Sequence, residues 1–376
     1  MRMRAAVLYE VNKPLVIEEI DLKPPQAGEV MIKMVASGVC HSDVHYYTGD
    51  VPREKPIILG HEGAGIVEQV GEGVTSVAPG DHVVLTFLPS CGKCRWCHTG
   101  NPTLCDLGAH LRTGKMLDGT HRHFLAKDNT PVSSFLFCST YGEYTISPEA
   151  SVLKVPDYLP LEKLCLLGCG FTTGFGAATN SASIKPGDAV MVIGCGGLGL
   201  AAIQGAALNG AGKVIAVDVH EEKLEIAKQM GATHTILNRH SVEDAVNEAK
   251  EITWGVGVDY AFEFVGFDQA DETIKIGYDS LRKGGTFFMV GVAKTTQKTM
   301  PLTSRDFSLY RKKIQGVLFG DAQFRTDIPR YIELYQQGAI KLDEMVTQEF
   351  RLDDINTCFE NVLAGNRVAR QVIRYD

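Results

Sequence analysis

Short apolar runs broken by glycine and proline fill roughly the first hundred residues of the chain. They are spaced as the strands of an all-β region are spaced, and they include EVMIKMVAS, GIVEQVG and HVVLTF. Neither a fixed-period repeat nor a low-complexity tract interrupts this pattern, which excludes solenoids and linkers. The pattern predicts a barrel-like β region.

From about residue 185 the pattern changes to an apolar strand, a glycine-rich turn and a long helix, and this cycle recurs. The predicted helices are LGLAAIQGAALNG and EEKLEIAKQMG, the second ended by Gly231. The predicted strands are AVMVIG, KVIAVDV, VDYAFEFVG and GGTFFMVG. Alternation of this kind predicts a parallel α/β sheet.

After Gly320 the cycle stops. IPRYIELYQQG and DINTCFENVLAG are predicted as two amphipathic helices, and RQVIRY as a closing strand. These last residues form either a third domain or a return to the first part of the chain, and the pattern leaves both open.

Length, composition and charge narrow the class of protein. A chain of 376 residues exceeds the usual size of one core, so we expect two domains. Apolar residues make up 44% and charged residues 22%, as in globular proteins, and a net charge of −8 disfavours nucleic acid as a partner. Charges within the first apolar stretch disfavour a signal peptide or membrane anchor, so we expect a cytoplasmic protein.

Four of the ten cysteines are crowded into one short segment. They are Cys91, Cys94, Cys97 and Cys105. Four thiolates at such spacing can wrap a tetrahedral ion, and zinc in a closed structural site is the first choice. An iron–sulfur cluster and a chance cluster of thiols are the alternatives.

A second set of possible ligands is dispersed along the chain: Cys40, His61 and Cys169. Two thiolates and one imidazole leave the fourth tetrahedral position open, as a catalytic zinc requires. The spacing alone does not join them, because single cysteines and histidines are more often ordinary buried residues.

The strand AVMVIG leads into the pattern Gly194-x-Gly196-x-x-Gly199 and then a helix. Such a turn lets a pyrophosphate approach a helix N-terminus. Asp218 ends the next predicted strand, where a carboxylate accepts from ribose hydroxyls and repels the 2′-phosphate of NADP. The motif therefore favours NAD, with a simple tight turn as the alternative.

With these segments in hand, the chain closely resembles the zinc-containing medium-chain alcohol dehydrogenases of the long-insert, dimeric type. The resemblance rests on GVCHSD, GHE-x2-G-x5-G-x2-V, CGKCRWC, LLGCGFTTGFGAA and VIGCGGLGL. It implies an α/β protein with a GroES-like β-barrel catalytic domain (1–170 and 319–376). It also implies a doubly wound Rossmann domain (171–318) that binds NAD.

The resemblance also implies roles for individual residues. The implied catalytic zinc ligands are Cys40, His61 and Cys169, and the implied structural zinc ligands are Cys91, Cys94, Cys97 and Cys105. The implied cofactor-binding residues are His41, Thr173, Gly194, Gly196, Gly197, Leu198, Gly199, Asp218, Lys223, Val265, Val290, Val292, Phe319 and Arg370. His41 stands where many relatives place an arginine on the pyrophosphate, so we expect NAD to be held less tightly.

Four residues beside the implied catalytic zinc complete the site. Glu62 is implied to approach the metal and Asp43 to orient His61, with simple surface charge as the alternative for both. Ser42, a cofactor ribose hydroxyl and His45 are implied to relay the proton. A solvent-facing histidine without a role is the alternative for His45.

The implied reaction is the reversible oxidation of primary or secondary alcohols to aldehydes or ketones with NAD. Ser42 leaves room beside the metal and Phe87 offers an apolar wall, so medium, bulky or aromatic alcohols are expected. Oxidation of a glutathione adduct is a rival that Phe87 disfavours. Two other functions are alternatives. A zinc hydrolase would leave the nucleotide motif unexplained, and an NAD-binding sensor would not need the three implied ligands of the catalytic zinc.

One long insertion, at 106–141, is of the kind found in dimeric relatives, so we expect a homodimer with a small-molecule substrate. It contains His121 and His123, a pair that suggests a further metal site. We expect a surface loop instead.

Overall fold

The computed structural model describes residues 1–266, 269–292, 294, 296–365 and 369–376. The strands are β1 (Arg2–Leu8), β2 (Val16–Leu22), β3 (Glu29–Val39), β4 (Ile57–Ile58), β5 (Glu62–Val70), β6 (His82–Leu85), β7 (His123–Leu125), β8 (Pro131–Ser134), β9 (Tyr144–Pro148), β10 (Val152–Lys154), β11 (Ala189–Ile193), β12 (Lys213–Asp218), β13 (His234–Leu237), β14 (Val258–Glu263), β15 (Leu281–Met289), β16 (Lys313–Gly316), β17 (Val346–Arg351) and β18 (Arg370–Arg374).

Helices lie before, between and after the strands of the second half of the chain, and three short ones lie earlier. They are α1 (His41–Thr48), α2 (Arg95–His98), α3 (Leu161–Leu164), α4 (Gly170–Gly176), α5 (Gly197–Leu208), α6 (Glu221–Gln229), α7 (Val242–Ile252), α8 (Ala270–Ser280), α9 (Ser304–Leu309), α10 (Phe324–Gln336) and α11 (Ile355–Leu363). Within the described ranges, no helix has the length and apolar character needed to cross a membrane.

Strands β1, β2, β7, β8 and β4 form a small closed barrel, which confirms the expected β region. Its interior holds fully buried apolar side chains such as Leu8, Ile58 and Phe135. Closing the sheet removes the free strand edges on which other chains could pair. Two of the five strands, β7 and β8, come from the 106–141 insertion.

A second sheet joins the two ends of the chain, in the order β10-β6-β5-β3-β18-β17 with β9 also paired to β3. Strand β18 runs antiparallel to β3, with Gln371 opposite Val39. The C-terminal residues therefore return to the first part of the chain. The domain boundaries at 170 and 318 stay predictions.

The third sheet is parallel and has the order β13-β12-β11-β14-β15-β16. All five residues of β11 are buried, as expected of a strand covered by helices on both faces. Numbered within this sheet, the order is 3-2-1-4-5-6, that of a doubly wound nucleotide-binding fold. The order reverses between β11 and β14, so a crevice opens at the carboxyl ends of these two strands.

The insertion differs from expectation at one of its histidines. His123 is the first residue of β7 and is fully buried, so its placement in a surface loop was wrong. Within the described ranges neither ring nitrogen of His123 has a hydrogen-bond partner. Burial, aided by the nearby His121 and Arg122, lowers the pKa of His123 to about 4.

We expect His123 to make the fold sensitive to acid. Its folded-state pKa of about 4 lies below the ordinary 6.5, so the unfolded chain binds this proton more strongly. Stability that is present above pH 6.5 is then lost as the pH falls toward 4, by about 2 kcal/mol at pH 5. The free energy of unfolding, measured with urea at pH 7.5 and at pH 5, should fall between these pH values by about 2 kcal/mol less in His123→Phe than in wild type. Equal losses in the two proteins would contradict this assignment.

Candidate functional site

Four potential ligands converge from three distant parts of the chain: Cys40, His61, Glu62 and Cys169. Cys40 precedes α1, His61 and Glu62 stand at the start of β5, and Cys169 precedes α4. Their ligand atoms all lie within 4.8 Å of one another, and all four residues are buried. Two thiols and an imidazole at this separation fit the donor set and size of a tetrahedral zinc site.

Asp43 holds His61 in place. One carboxylate oxygen of Asp43 lies 2.9 Å from His61 Nδ1 and accepts the backbone N–H of Gly60 at 3.1 Å. The other accepts the Tyr141 hydroxyl at 2.8 Å and the Cys40 backbone N–H at 3.2 Å. With Nδ1 bound to a carboxylate, Nε2 is the nitrogen left to face a metal. Asp43 is fully buried, so the surface-charge alternative does not apply to it.

Neighbouring groups shift the pKa values of all three ligands. A hydrogen bond from the Cys169 thiol lowers the pKa of Cys40, against the effect of burial, and the same interaction raises the pKa of Cys169. Burial lowers the pKa of His61, but the Asp43 carboxylate outweighs it and brings the pKa to about 10. The pocket thus stabilises a thiolate on Cys40.

Glu62 is held from both sides. Its Oε1 accepts the backbone N–H of Gly170 at 2.9 Å, and its Oε2 forms a buried ion pair with the Arg370 guanidinium from β18. Both carboxylate oxygens are therefore engaged by protein groups while they lie beside the metal ligands. This burial also rules out simple surface charge for Glu62.

The predicted proton-relay residues lie on α1. The Cys40 thiol lies 3.7 Å from the Ser42 hydroxyl, and the His45 ring lies 4.9 Å from the His41 ring. His45 Nδ1 is 3.5 Å from an Asp50 carboxylate oxygen. Burial and His41 lower the pKa of His45 to about 4, so the ring is neutral at pH 7.

The four clustered cysteines also come together. Their sulfur atoms lie within 4.8 Å of one another around the short helix α2. Backbone N–H groups of Cys97 and Asp106 lower the pKa of Cys94 to about 6, whereas burial raises that of Cys105 to about 12. Four thiols at this separation fit a closed structural zinc site. No third cluster of this kind occurs among the described residues.

The glycine-rich turn joins β11 to α5 as predicted. Gly194 has a positive φ of 91°, and a Cβ on Gly199 would lie 1.8 Å from the Gly194 carbonyl oxygen. A Cβ on Gly196 would meet only open space, so this residue leaves the cleft free for a ligand. The Asp218 carboxylate at the end of β12 accepts backbone N–H groups of Cys195 at 2.8 Å and His220 at 3.0 Å.

A cleft of about 560 Å³ extends from this turn to the candidate metal centre. The predicted cofactor residues that line it are His41, Gly194, Gly196, Gly197, Leu198, Gly199, Asp218, Lys223, Val265 and Arg370. Cys40 lines it as well, so the nucleotide motif shares this cavity with one of the candidate metal ligands. The cleft, the glycine turn and the buried, unpartnered Arg370 Nε fit a bound dinucleotide.

The other four predicted cofactor residues lie outside the lining of this cleft. The Thr173 hydroxyl donates to the Cys169 carbonyl at 2.7 Å, so this residue lies next to the metal ligands. Val290 and Val292 follow β15, and Val292 is 56% exposed. Phe319 packs edge-on against Phe87 at 5.0 Å.

An aromatic wall flanks the candidate metal centre. The rings of Phe87 and Phe135 each contact the His61 ring edge-on at 5.7 Å between centroids. Phe319 extends this wall through its contact with Phe87. The candidate metal centre therefore has an apolar flank beside His61.

Two residues of the site were missed at the sequence level. Tyr141 binds Asp43, and Glu263 is fully buried at the carboxyl end of β14 beside the cleft. An acid at the end of the apolar run VDYAFEFVG was a signal for Glu263. Nothing in the sequence around Tyr141 indicated its hydroxyl contact.

Comparisons with known proteins match both halves of the chain. The family described as alcohol dehydrogenase GroES-like domain matches residues 26–157. The family described as zinc-binding dehydrogenase matches residues 197–337.

The chain is also similar to individual proteins over its whole length. It is 41% identical to the NDMA-dependent alcohol dehydrogenase of Amycolatopsis methanolica, covering 98% of each chain. It is 42% identical to an S-(hydroxymethyl)glutathione dehydrogenase of Synechocystis sp., covering 100% of each. The solved benzyl alcohol dehydrogenase of Acinetobacter calcoaceticus superposes with a TM-score of 0.92 at 35% identity, with 100% of both chains covered.

Proposed function

The chain belongs to the zinc-containing medium-chain alcohol dehydrogenase family, and on that premise we propose how its residues divide the reaction. It is an oxidoreductase that carries out zinc-dependent alcohol oxidation. The observation that supports the mechanism is the single cleft in which Cys40 and the glycine-rich turn both take part. It would bring the reacting carbon of an alcohol next to a nicotinamide ring.

In this proposal Cys40, His61 and Cys169 hold the catalytic zinc, and Asp43 orients His61. When bound, zinc supplies the Lewis acidity that makes an alcohol hydroxyl acidic at neutral pH, and NAD supplies the hydride acceptor. Thr173 lies beside Cys169, to whose backbone carbonyl its hydroxyl donates. The buried Glu62–Arg370 pair ties the metal centre to the cofactor cleft.

In this proposal the proton released from the alcohol leaves through Ser42 and His45 of α1 and then Asp50, which follows that helix. Ser42 lies next to Cys40 and is the first acceptor in the proposed relay. His45 is neutral at pH 7 because of its low pKa, so it takes up a proton only transiently. Asp50, 3.5 Å from His45 Nδ1, is the group to which the proton passes next.

We propose NAD as the cofactor. Asp218 presents a carboxylate where the adenosine ribose would lie, and a carboxylate repels the extra phosphate of NADP. The A. methanolica relative is named for a dependence on NDMA, so an external acceptor is the second candidate for hydride removal.

Medium, bulky or aromatic alcohols are the proposed substrates. The aromatic wall of Phe87, Phe135 and Phe319 supports an apolar substrate next to His61. A solved relative with full coverage is named a benzyl alcohol dehydrogenase.

A rapid-mixing assay tests this function. The enzyme is mixed with a panel of aliphatic and benzylic alcohols and NAD, and the absorbance of NADH is followed. We expect a burst of NADH with benzylic alcohols and little with NADP. A rate that requires glutathione would indicate adduct oxidation, and turnover that requires NDMA without added NAD would indicate the second candidate. Absence of alcohol oxidation with every acceptor would contradict the function.

His41→Arg is expected to slow the release of NADH. His41 lines the same cleft as Gly196 and Gly197, and a guanidinium there would form charge-assisted hydrogen bonds with the pyrophosphate. One such bond is worth about 1.4 kcal/mol or more, so the NADH off-rate should fall roughly tenfold. Stopped-flow displacement of NADH measures this rate. A rate equal to or faster than that of wild type would contradict the role of His41.

We propose that the chain forms a homodimer. Strand β16 is an edge of the parallel sheet, and Phe307, Leu309 and Leu318 near it are 39%, 57% and 43% exposed. Exposed apolar groups beside a free edge are typical of an interface. Light scattering should give twice the chain mass of 40.9 kDa.

The proposed domain boundaries are 1–170 with 319–376, and 171–318. The pairing of β18 with β3 supports the division, because it returns the tail to the first part. We also propose a cytoplasmic location, since none of the ten cysteines forms a disulfide.

A further inference from the structure

Glu263 is a buried acid that has no part in the metal centre. It ends β14 at the carboxyl edge of the parallel sheet, opposite Ile193 of β11 and Met289 of β15. Dinucleotides bind outside this edge in doubly wound folds. A polar group there can therefore shape the wall of the cleft without touching the ligand.

One carboxyl oxygen of Glu263 accepts three hydrogen bonds. Oε1 accepts the backbone N–H groups of Val265 and Gly266, both at 2.7 Å, and the Thr273 hydroxyl at 3.0 Å. All three donor residues line the cleft. Through these bonds the carboxyl group ties the turn after β14 to helix α8.

The other carboxyl oxygen of Glu263 faces the segment after β15. A Cβ on Gly291 would lie 2.4 Å from Oε2 and 2.6 Å from the Gly266 nitrogen, so only glycine fits at 291. The backbone N–H groups of Val290 and Gly291 donate to the Glu263 carbonyl at 3.1 and 2.9 Å. Segments 264–266 and 290–292 therefore pack backbone against backbone around this residue.

Burial shifts the acidity of this carboxyl group. Burial raises the pKa of Glu263, although backbone and hydroxyl donors oppose that rise. Within the described ranges no cation forms an ion pair with Glu263, and its Oε2 has no hydrogen-bond partner. The contribution of Glu263 to this wall therefore depends on Oε1 as an acceptor of three hydrogen bonds.

We propose that Glu263 is a positioning residue for the nicotinamide half of the cleft, fixing Val265 and the 290–292 segment where the ring would pack. The proposal rests on the NAD binding of the proposed function. Val265 lines the cleft after β14, the strand next to β11, and Val290 follows β15, the strand next to β14. Because the backbone of both segments is hydrogen-bonded to Glu263, loss of this residue should move Val265 and the wall behind it.

The test compares Glu263→Ala with Glu263→Gln. Glutamine keeps a carbonyl oxygen that can accept the same three hydrogen bonds, whereas alanine removes it. We expect Glu263→Ala to raise the Kd of NADH, measured by fluorescence, and the KM of NAD about tenfold. The KM of the alcohol should change far less. In Glu263→Gln the Kd should stay within about threefold of wild type.

Asp259→Ala is the matched control. Asp259 lies near the other end of β14, where it accepts the backbone N–H of Ala189 at 2.8 Å and pairs with Arg282. Its loss also removes an acceptor from the sheet, so the Tm should fall in this variant as in Glu263→Ala. The Kd of NADH should remain that of wild type, because Asp259 is far from the cleft.

The outcomes distinguish a failure of the proposed NAD binding from a failure of the role assigned to Glu263. Wild type that binds no NADH would contradict the proposed function, and this inference with it. Wild-type affinity in Glu263→Ala, or an equal loss in Asp259→Ala, would overturn the role of Glu263 while leaving NAD binding intact. A Glu263→Gln variant that binds NADH as weakly as Glu263→Ala would also overturn the role of Glu263. The negative charge would then matter rather than the accepting oxygen.

Discussion

Cys169→Ala is expected to lower kcat/KM for alcohol oxidation by about a thousandfold or more. Metal ions contribute several kcal/mol to such reactions, and each 1.4 kcal/mol corresponds to about tenfold in rate. Cys169 is a buried member of the candidate catalytic cluster, and its loss leaves only two of the three proposed ligands with Glu62. The zinc content of the variant, measured by mass spectrometry, should fall from two ions per chain toward one.

Cys165→Ala is the control for this variant. Cys165 is also a fully buried thiol, four residues earlier, but it belongs to neither cysteine cluster. It should keep two zinc ions and most of the activity. Full activity in Cys169→Ala, or an equal loss in Cys165→Ala, would show that Cys169 does not bind the metal that performs the reaction.

Cys105→Ala is expected to cause the largest loss of stability. The segment 91–105 has few elements of its own, only the four-residue helix α2 and one short turn, so an ion must supply its folding energy. Removing one of four thiolate ligands should destabilise the chain by about 4 kcal/mol and lower the Tm by roughly 10 °C. Calorimetry and the zinc content measure both effects.

The matching control is Cys358→Ala. Cys358 is a fully buried thiol in α11 and lies outside both clusters. Its truncation removes one sulfur atom from the core and should cost about 1 to 2 kcal/mol without loss of zinc. Two zinc ions in Cys105→Ala, with a Tm no lower than that of Cys358→Ala, would contradict a structural zinc in this segment.

Most of the parallel half of the molecule followed from local pattern. The strand AVMVIG became β11, the glycine motif became the turn before α5, and EEKLEIAKQMG became α6. The pattern sufficed because each signal lies within about a dozen residues: apolar period, turn glycine and helix end. The clustered cysteines were also predictable, since their ligands lie close together in the chain.

The catalytic ligands were not predictable from spacing. Cys40, His61 and Cys169 were joined by the family resemblance, and the fold brings their side chains within 4.8 Å through contacts between distant strands. The pairing of β18 with β3 likewise joins strands that are far apart in the chain. Such contacts depend on which surfaces pack, and a local pattern carries no information about that.

Burial accounts for the other features of the structure that the sequence did not predict. His45 and His123 have pKa values of about 4 because neighbouring elements exclude water from both rings. The sequence did not predict the contacts of Glu263, because its three hydrogen-bond donors come from a turn and a helix that fold back onto β14.

The sequence by itself determined the alternation of strands and helices, the glycine turn, the acidic end of β12 and the identity of the possible metal ligands. These are properties of neighbouring residues, set by backbone sterics and side-chain chemistry. The tertiary structure alone decided which ligands meet, that Glu62 pairs with Arg370, and which titratable groups lose their water. Those outcomes depend on distance and burial, which arise only when segments far apart in the chain pack against one another.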